Sequence, residues 1–386
     1  MTIHEFSFPT RILFGPGSLA QLPALLKAAR VRRPLIITDR GLVSSQICYR
    51  LISTLSDAGF SAFAFSDISP NPTVPEVHAG GRACRDSSAD AIVGFGGGSA
   101  LDAAKAVRLL ATHDGDVLSY EENAGGLIRP DMPIFIAIPT TAGTGSEVGR
   151  STVITDPTHR VKKVIFSPHL LATTVIADPE LTLGLPPHLT AATGMDAFTH
   201  CIEAYLARGY HPLCDSIALG GIRLIDEHLP RAVRDGSDLE ARGHMLMAAM
   251  MGAVAFQKGL GVTHSLAHPL TTVAGLHHGL ANGIMLARAL EFNLPVAAQR
   301  LSDIAQALRL APGGTAEEQA RAVIERVRAL AAEIGIPPSL SAAGVTGEMI
   351  EPMTEQAAAD GCHQLNPRTC SAAELRQLYE EAMQTS

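Results

Sequence analysis

Short apolar, β-branched runs recur along the first half of the chain: Pro34–Thr38 (PLIIT), Ala62–Phe65, Ala91–Phe95 (AIVGF), Ile134–Ile138 (IFIAI) and Thr174–Ala177. Their continuous apolar character predicts strands buried on both faces, and the helix-length segments between them predict a parallel, doubly wound sheet. After Pro186-Pro187 the pattern changes to Ala, Leu, Met and His at helical spacing, with few β-branched clusters. The expected architecture is an α/β dinucleotide-binding domain with a parallel sheet over 1–185 and an all-helical domain over 186–386, meeting at a cleft. Thr315–Gly335, rich in Ala, Glu and Arg, predicts an amphipathic surface helix, which Pro337-Pro338 follows.

Length agrees with this division, because 386 residues exceed the roughly 250–300 at which a single core stops growing. Apolar residues make up 46% and charged residues 18%, which fits a chain that folds throughout. A net charge of −8, with both signs interspersed, argues against a nucleic-acid surface and favours a small-molecule partner. The start has no basic segment followed by an apolar one, and no apolar run approaches the ~20 residues of a membrane span, so a cytoplasmic protein without membrane association is expected. The six cysteines show no CxxC pairing; they read as reduced thiols and are assigned no chemistry.

Two loops carry nucleotide-binding character. The strand 91–95 runs into Gly96-Gly97-Gly98-Ser99 and then a helix bearing Asp102 and Lys105. Glycines let a backbone approach a pyrophosphate closely, and a helix N-terminus offsets its charge. Neither the GxGxxG fingerprint nor a P-loop is present. The strand 134–138 leads into Pro139-Thr140-Thr141-Ala142-Gly143-Thr144-Gly145-Ser146-Glu147, whose hydroxyls and glycines offer donors without filling a site. Asp39, just beyond the first of these strands, stands where a carboxylate can bind a ribose and repel a 2′-phosphate, which points to NAD over NADP; capping of the following turn is the plainer role.

In the helical half, Asp196 and His200 are spaced i, i+4 and share one helix face. His264 and His268 repeat the spacing, and His277-His278 follow a short loop. One carboxylate with several imidazoles suits Fe2+ or Zn2+ and is too nitrogen-rich for Ca2+ or Mg2+. Spacing alone does not choose between His264 and His268, or between His277 and His278.

Taken together, GGGSALDAAK (96–105), PTTAGTGSE (139–147), DPELT (178–182), GMDAFTHCIEAY (194–205), GLGVTHSLAHPL (259–270), HHGLAN (277–282) and NPR (366–368) resemble the iron-containing (group III) alcohol dehydrogenase family along nearly the whole chain. The resemblance implies a dehydroquinate synthase-like architecture. It implies metal ligands at Asp196, His200, His264 and His278, with Fe2+ as the metal and Zn2+ as the alternative. It further implies NAD contacts at Asp39, Asn71, Gly97, Gly98, Ser99, Asp102, Thr140, Thr141 and Lys162, and His268 as a proton relay near the substrate. His277 stands where many members have Pro and reads as a neighbour of the ligands.

The chain departs from the family around the expected substrate pocket. Where many members read FSNAGLG this chain reads Ala255-Phe256-Gln257-Lys258-Gly259-Leu260-Gly261, with Lys258 at a position that commonly holds a small apolar residue, and Val148-Gly149-Arg150-Ser151 follows Glu147, so Arg150, Ser151 and Lys258 become the substrate candidates. The QKGLG and DGCHQLNP stretches look most like the 4-hydroxybutyrate dehydrogenase branch, which suggests an ω-hydroxy acid bound through Lys258. The expected reaction interconverts a primary alcohol and an aldehyde by hydride transfer in a homodimer or larger homo-oligomer. The competing reading is a dehydroquinate-synthase-type lyase that uses NAD transiently; it would need a cluster of basic residues for a phosphate-bearing substrate, and none stands out.

Overall fold

The computed structural model describes residues 6–8, 10–121, 125–159 and 161–384. The chain packs as two units. The first, a sheet unit, comprises Phe8–Thr141 and Gly145–Leu183. Its strands are β1 (Arg11–Phe14), β2 (Pro34–Ile37), β3 (Phe63–Phe65), β4 (Ala91–Gly96), β5 (Ile134–Pro139), β6 (Ser151–Asp156), β7 (Val161–Phe166) and β8 (Thr174–Ala177). Its helices are α1 (Leu22–Ala28), α2 (Gln46–Asp57), α3 (Val74–Asp86) and α4 (Gly98–Thr112).

Six strands form one sheet in the order β1-β8-β5-β4-β2-β3, and every pairing in it is parallel. Strands β2, β4 and β8 are buried at every position, as their unbroken apolar runs require. The run ending at Thr38 stops as a strand at Ile37, and that starting at Ala62 begins at Phe63. Asp178, in the DPELT motif, fastens the end of β8: its two oxygens accept the amides of Gly17 and Leu19 at 3.1 and 3.0 Å.

Two features were not anticipated. The edge strand β1 is only four residues long and half-exposed, which leaves it without a fully apolar signature. The antiparallel hairpin β6–β7, paired from Ser151↔Phe166 to Asp156↔Val161, carries Thr, Asp and Lys among its apolar residues and buries alternate positions of β6. Such a half-covered hairpin lacks the apolar run by which the central strands announce themselves.

The second, helical unit comprises Gly184–Ser386 with Ala142–Thr144 and the chain start. It contains α5 (Pro187–Leu206), α6 (Pro212–Arg234), α7 (Leu239–Ala255), α8 (Val262–Thr272), α9 (His278–Ala307), α10 (Ala316–Glu333), α11 (Ile350–Ala359) and α12 (Ala372–Ala382). No strand occurs in it among the described residues. Helix α10 falls within the predicted 315–335 segment, and Thr315 and Glu318 form a capping box at its start. Helix α5 is buried from Thr190 to Leu206, so its polar side chains need partners inside the protein. Among the described residues, no single helix is long and apolar enough to cross a membrane.

Candidate active site

Asp196, His200 and Glu203 stand at i, i+4 and i+7 on α5, a single stripe on a helix otherwise packed into the core. The Asp196 carboxylate accepts the Asn282 amide at 2.8 Å. Nε2 of His200 lies 3.9 Å and Nε2 of His278 lies 3.5 Å from Asp196 Oδ1. The His264 ring stacks on His200 at 4.7 Å between centroids, and its Nε2 is 3.5 Å from the same Asn282 amide. Ligand atoms of Asp196, His200 and His264 all lie within 4.8 Å of one another. The structure thus brings Asp196, His200 and His264 together from two helices, with His278 of a third 3.5 Å from Asp196.

Glu203 Oε2 lies 2.6 Å from His264 Nδ1, which turns Nε2 inward, the arrangement that orients metal-ligating histidines. The same carboxylate accepts the amides of Gly261 and Thr263 at 3.0 and 2.6 Å, capping the start of α8. Burial opposes charge on the His264 ring, but the hydrogen bond and charge of Glu203 outweigh it and raise its pKa. His200 is different: burial lowers its pKa to about 4, so it is a neutral donor near pH 7, the form that ligates a metal.

His278 is the first residue of α9, and His277 is that helix's N-cap, its Nδ1 accepting the Gly279 amide at 3.2 Å. A Cβ at Gly279 would lie 2.1 Å from the Ala192 carbonyl, so glycine is what lets α9 begin against α5.

His268, one turn beyond His264, stacks on His278 at 5.2 Å between centroids. Its Nδ1 meets Asp360 Oδ2 at 2.7 Å, and Asp360 Oδ1 accepts the Ser265 hydroxyl and the Cys362 amide, each at 2.8 Å. Burial disfavours the Asp360 carboxylate, yet His268 and these donors hold its pKa well below the ordinary range.

Glu203, Asn282 and Asp360 were not among the residues expected from sequence. Glu203 carried a legible signal, since it continues the Asp196–His200 stripe by one turn. Asn282 is one turn beyond His278 in HHGLAN. Asp360 is joined to His268 across 92 positions, a separation that spacing cannot read.

In the sheet unit, Gly96 has φ 149°, and a Cβ there would lie 2.7 Å from that of Ala100 and 3.3 Å from Asp39 Oδ2. A Cβ on Gly97 would meet Thr141 at 3.2 Å. These glycines keep a narrow cradle open at the start of α4, where amides suit a phosphate. Gly98 is the first residue of α4, and the Thr140 amide donates to Gly96 at 3.0 Å. The Ser99 hydroxyl donates to the Pro70 carbonyl, which ties the cradle to the segment carrying Asn71. Lys162 pairs with Thr155 across the β6–β7 hairpin, and the Thr155 amide donates to Pro72 at 2.7 Å, so the hairpin adjoins that segment. Asp39 Oδ1 accepts the amides of Gly41 and Leu42, both at 2.9 Å, so it caps its turn and points Oδ2 toward Gly96.

Three expected contacts, those of Asp102, Arg150 and Lys258, have other partners here, and Ser151 is engaged through its main chain. Asp102 accepts Ser146 Oγ at 2.5 Å and the Val153 amide at 3.1 Å, with the Lys105 ammonium at 3.4 Å; its carboxylate fixes β6 to α4. The Arg150 guanidinium lies over the Phe166 ring at 5.2 Å, and the Ser151 carbonyl accepts Lys105 at 2.6 Å. Lys258 requires a correction. Its ammonium is buried against Asp215 Oδ1 at 2.6 Å and the Tyr205 carbonyl at 2.9 Å. A cation there satisfies the C-terminal end of α5 and a neighbouring carboxylate, and its charge is already spent within the fold.

Residues 9–179 match the model of the iron-containing alcohol dehydrogenases, and residues 190–383 match that of the Fe-containing alcohol dehydrogenase family, C-terminal. The chain is 39% identical to 4-hydroxybutyrate dehydrogenase of Cupriavidus necator, covering 97% of this chain and 98% of that protein. A solved 1,3-propanediol oxidoreductase superposes with a TM-score of 0.94 at 34% identity, covering 99% of this chain and 100% of that one. Sulfoacetaldehyde reductase from Bifidobacterium kashiwanohense, solved in complex with NAD+, gives a TM-score of 0.90 at 30% identity over the full length of both chains. With the doubly wound sheet, the helical unit and the one-carboxylate, three-imidazole cluster in place, these matches establish that the chain belongs to the iron-containing alcohol dehydrogenase family.

Proposed function

We propose that this protein interconverts a primary alcohol and its aldehyde with NAD, using a divalent metal held by Asp196, His200, His264 and His278, Fe2+ first and Zn2+ as the alternative. The observation that carries this reading is the convergence of the buried Asp196, His200 and His264, whose ligand atoms lie within 4.8 Å of one another, with the partly exposed His278 3.5 Å from Asp196 and with Glu203 turning His264 toward the group. Three nitrogens and one oxygen suit a first-row transition metal, and four neutral or anionic donors brought together with an amide would be a costly arrangement without a cation. When bound, such a metal supplies Lewis acidity toward the substrate oxygen.

The chain's own residues do the rest. Asp360 fixes Nδ1 of His268 and so turns Nε2 away from the carboxylate, in the orientation a proton carrier needs. The Gly96–Gly98 cradle at the start of α4 receives the pyrophosphate of the dinucleotide, and Asp39 faces its adenine ribose and disfavours a 2′-phosphate. Thr140 and Thr141 adjoin this cradle, and Asn71 and Lys162 are assigned to the dinucleotide by the family resemblance. Family membership favours net oxidation and reduction over the lyase reading, in which NAD would be regenerated within each cycle.

An ω-hydroxy acid, 4-hydroxybutyrate foremost, is the substrate we favour. Its support is the likeness to 4-hydroxybutyrate dehydrogenase and the QKGLG stretch, since Lys258 is committed elsewhere. The deciding experiment measures NADH formation from ethanol, 1-butanol and 4-hydroxybutyrate by Fe2+-reconstituted protein, before and after chelation and in Asp196→Ala. Activity should vanish on chelation and in the variant, and kcat/KM should be highest for 4-hydroxybutyrate. Full turnover by metal-stripped protein would remove the metal from the mechanism. A preference for 1-butanol would remove the hydroxy acid, and equal kcat/KM with NADP would reduce Asp39 to a turn residue.

A further inference from the structure

A second cluster of metal-ligating side chains lies beside the first and shares no residue with it. Ligand atoms of His268, Asp360 and Cys362 lie within 4.8 Å of one another. They come from α8, from the C-cap of α11 and from the turn Cys362–Leu365 that follows it. The group is pre-assembled. Asp360 Oδ1 takes the Cys362 amide and the Ser265 hydroxyl, and that hydroxyl also accepts the His363 amide at 2.9 Å. His268 and Asp360 remain partly accessible, with 24% and 18% of their side chains exposed. One thiol, one imidazole and one carboxylate on a half-open surface are the donors of a three-ligand zinc site with water in the fourth position. The sulfur disfavours Mg2+ and Ca2+.

We propose that His268, Asp360 and Cys362 form a second, inhibitory site for Zn2+, distinct from the Asp196 centre. Ligands of a tetrahedral zinc sit ~3.3–3.8 Å apart given bond lengths of about 2.0–2.3 Å, so the 2.7 Å contact between His268 and Asp360 opens by about one ångström or less as the ion enters. The proton balance is simple. The Cys362 thiol gives up its proton to solvent and binds as thiolate. The His268 ring binds through Nδ1 and remains neutral, its single proton passing by way of water to Nε2. That change of tautomer is the inhibitory step, because a ring that carries its proton on Nε2 and zinc on Nδ1 can no longer accept a proton and pass it outward. Binding rests on the cluster alone; inhibition also rests on the relay role given above to His268.

The two metal sites are distinguishable because only the second contains sulfur. Protein already loaded with Fe2+ is titrated with Co2+, and a thiolate-to-cobalt charge-transfer band should grow and saturate near one equivalent. Zn2+ should abolish that band by competition, and over the same range should lower turnover at least tenfold without releasing iron. Cys362→Ser and Cys362→Ala should each lose the band and the zinc inhibition while keeping iron content and basal turnover. If excess Co2+ gives the parent protein no thiolate band, the site does not exist, whatever the activity. A band without loss of turnover leaves the site standing and overturns its inhibitory role. Zinc inhibition that persists in both variants, or that tracks iron release, assigns the effect to displacement at the Asp196 centre and overturns the proposal.

Discussion

At the scale of single residues, part of the carboxylate–imidazole cluster could be read from the chain because helical spacing is a local property: Asp196 and His200 are separated by one turn and need no knowledge of the fold. What could not be read was how each group is held. Glu203 is the case with the largest expected effect. Its two oxygens receive three donors, the amides of Gly261 and Thr263 and the His264 ring. Glu203→Gln would place an NH2 group against one of them, so His264 should lose its fixed orientation. Metal affinity should fall about 10–100-fold, read as metal content after dialysis against buffered Zn2+; unchanged affinity would show that His264 is oriented by packing alone. Lys258 is the opposite case, a residue whose charge suggested substrate binding and whose burial assigns it to the fold. In Lys258→Met, Asp215 keeps Arg300 at 2.9 Å, so the loss should stay below that of a fully orphaned buried ion, roughly 1–3 kcal/mol in chemical denaturation. The ratio of kcat/KM for 4-hydroxybutyrate to that for 1-butanol should not change. A tenfold fall in that ratio would return Lys258 to the substrate pocket.

At the scale of elements, legibility followed burial except at the half-exposed edge strand β3, whose short apolar run was still visible. The strands β2, β4, β5 and β8 are covered on both faces, and their sequences show it. The edge strand β1 and the β6–β7 hairpin have one wet side, so polar residues interrupt the signal. Close helix contacts were also hidden, because a glycine records that a neighbour is near without naming it. Gly279 is such a position: its added methyl would meet the Ala192 carbonyl at 2.1 Å, a backbone atom that cannot swing aside. Gly279→Ala should therefore push the start of α9 from α5, carrying His278 off the cluster. The expected result is a loss of ~1–3 kcal/mol in stability and at least a tenfold loss of metal affinity. Gly283→Ala, one turn further along, is the control, since its nearest atoms are side chains of Ile336 and Met195 at 3.3 Å. It should keep its metal. Equal metal loss in the two variants would show general loosening of α9 in place of a displaced ligand.

At the scale of the whole molecule, the change of texture near Pro186 and the Gly184 edge of the helical unit fall within a few residues of each other, because sheet and bundle draw on different residue types. The chain does not divide so cleanly, however. Ala142–Thr144 cross into the helical unit, where a Cβ on Gly143 would lie 2.8 Å from that of Thr193, before the chain returns at Gly145. Just after the return, Glu147 is buried in the sheet unit, and its Oε1 has no hydrogen-bond partner among the described residues. Burial raises its pKa from 4.5 to about 7, with its own amide and the Lys105 charge opposing the shift. The Lys105 ammonium is engaged with Ser146 Oγ at 2.7 Å and the Ser151 carbonyl at 2.6 Å. The consequence for stability has a definite sign. Below pH 4.5 the carboxyl is protonated in folded and unfolded chains alike and contributes no difference. Between pH 4.5 and 7 the folded state holds a proton that the unfolded state has lost, so stability falls as pH rises and levels off above 7. At about 1.4 kcal/mol per pKa unit, the full cost is on the order of 3 kcal/mol. Glu147→Gln removes the titration and keeps the shape, so it should be more stable than the parent by a few kcal/mol at pH 8 and equal to it near pH 4.5. Two units need not unfold together, so the reading should come from native-state hydrogen exchange of the β4 and β5 amides, which reports the sheet unit by itself. A variant that is less stable than the parent at pH 8 would mean that the ionised carboxylate is held by Lys105 more strongly than burial opposes it.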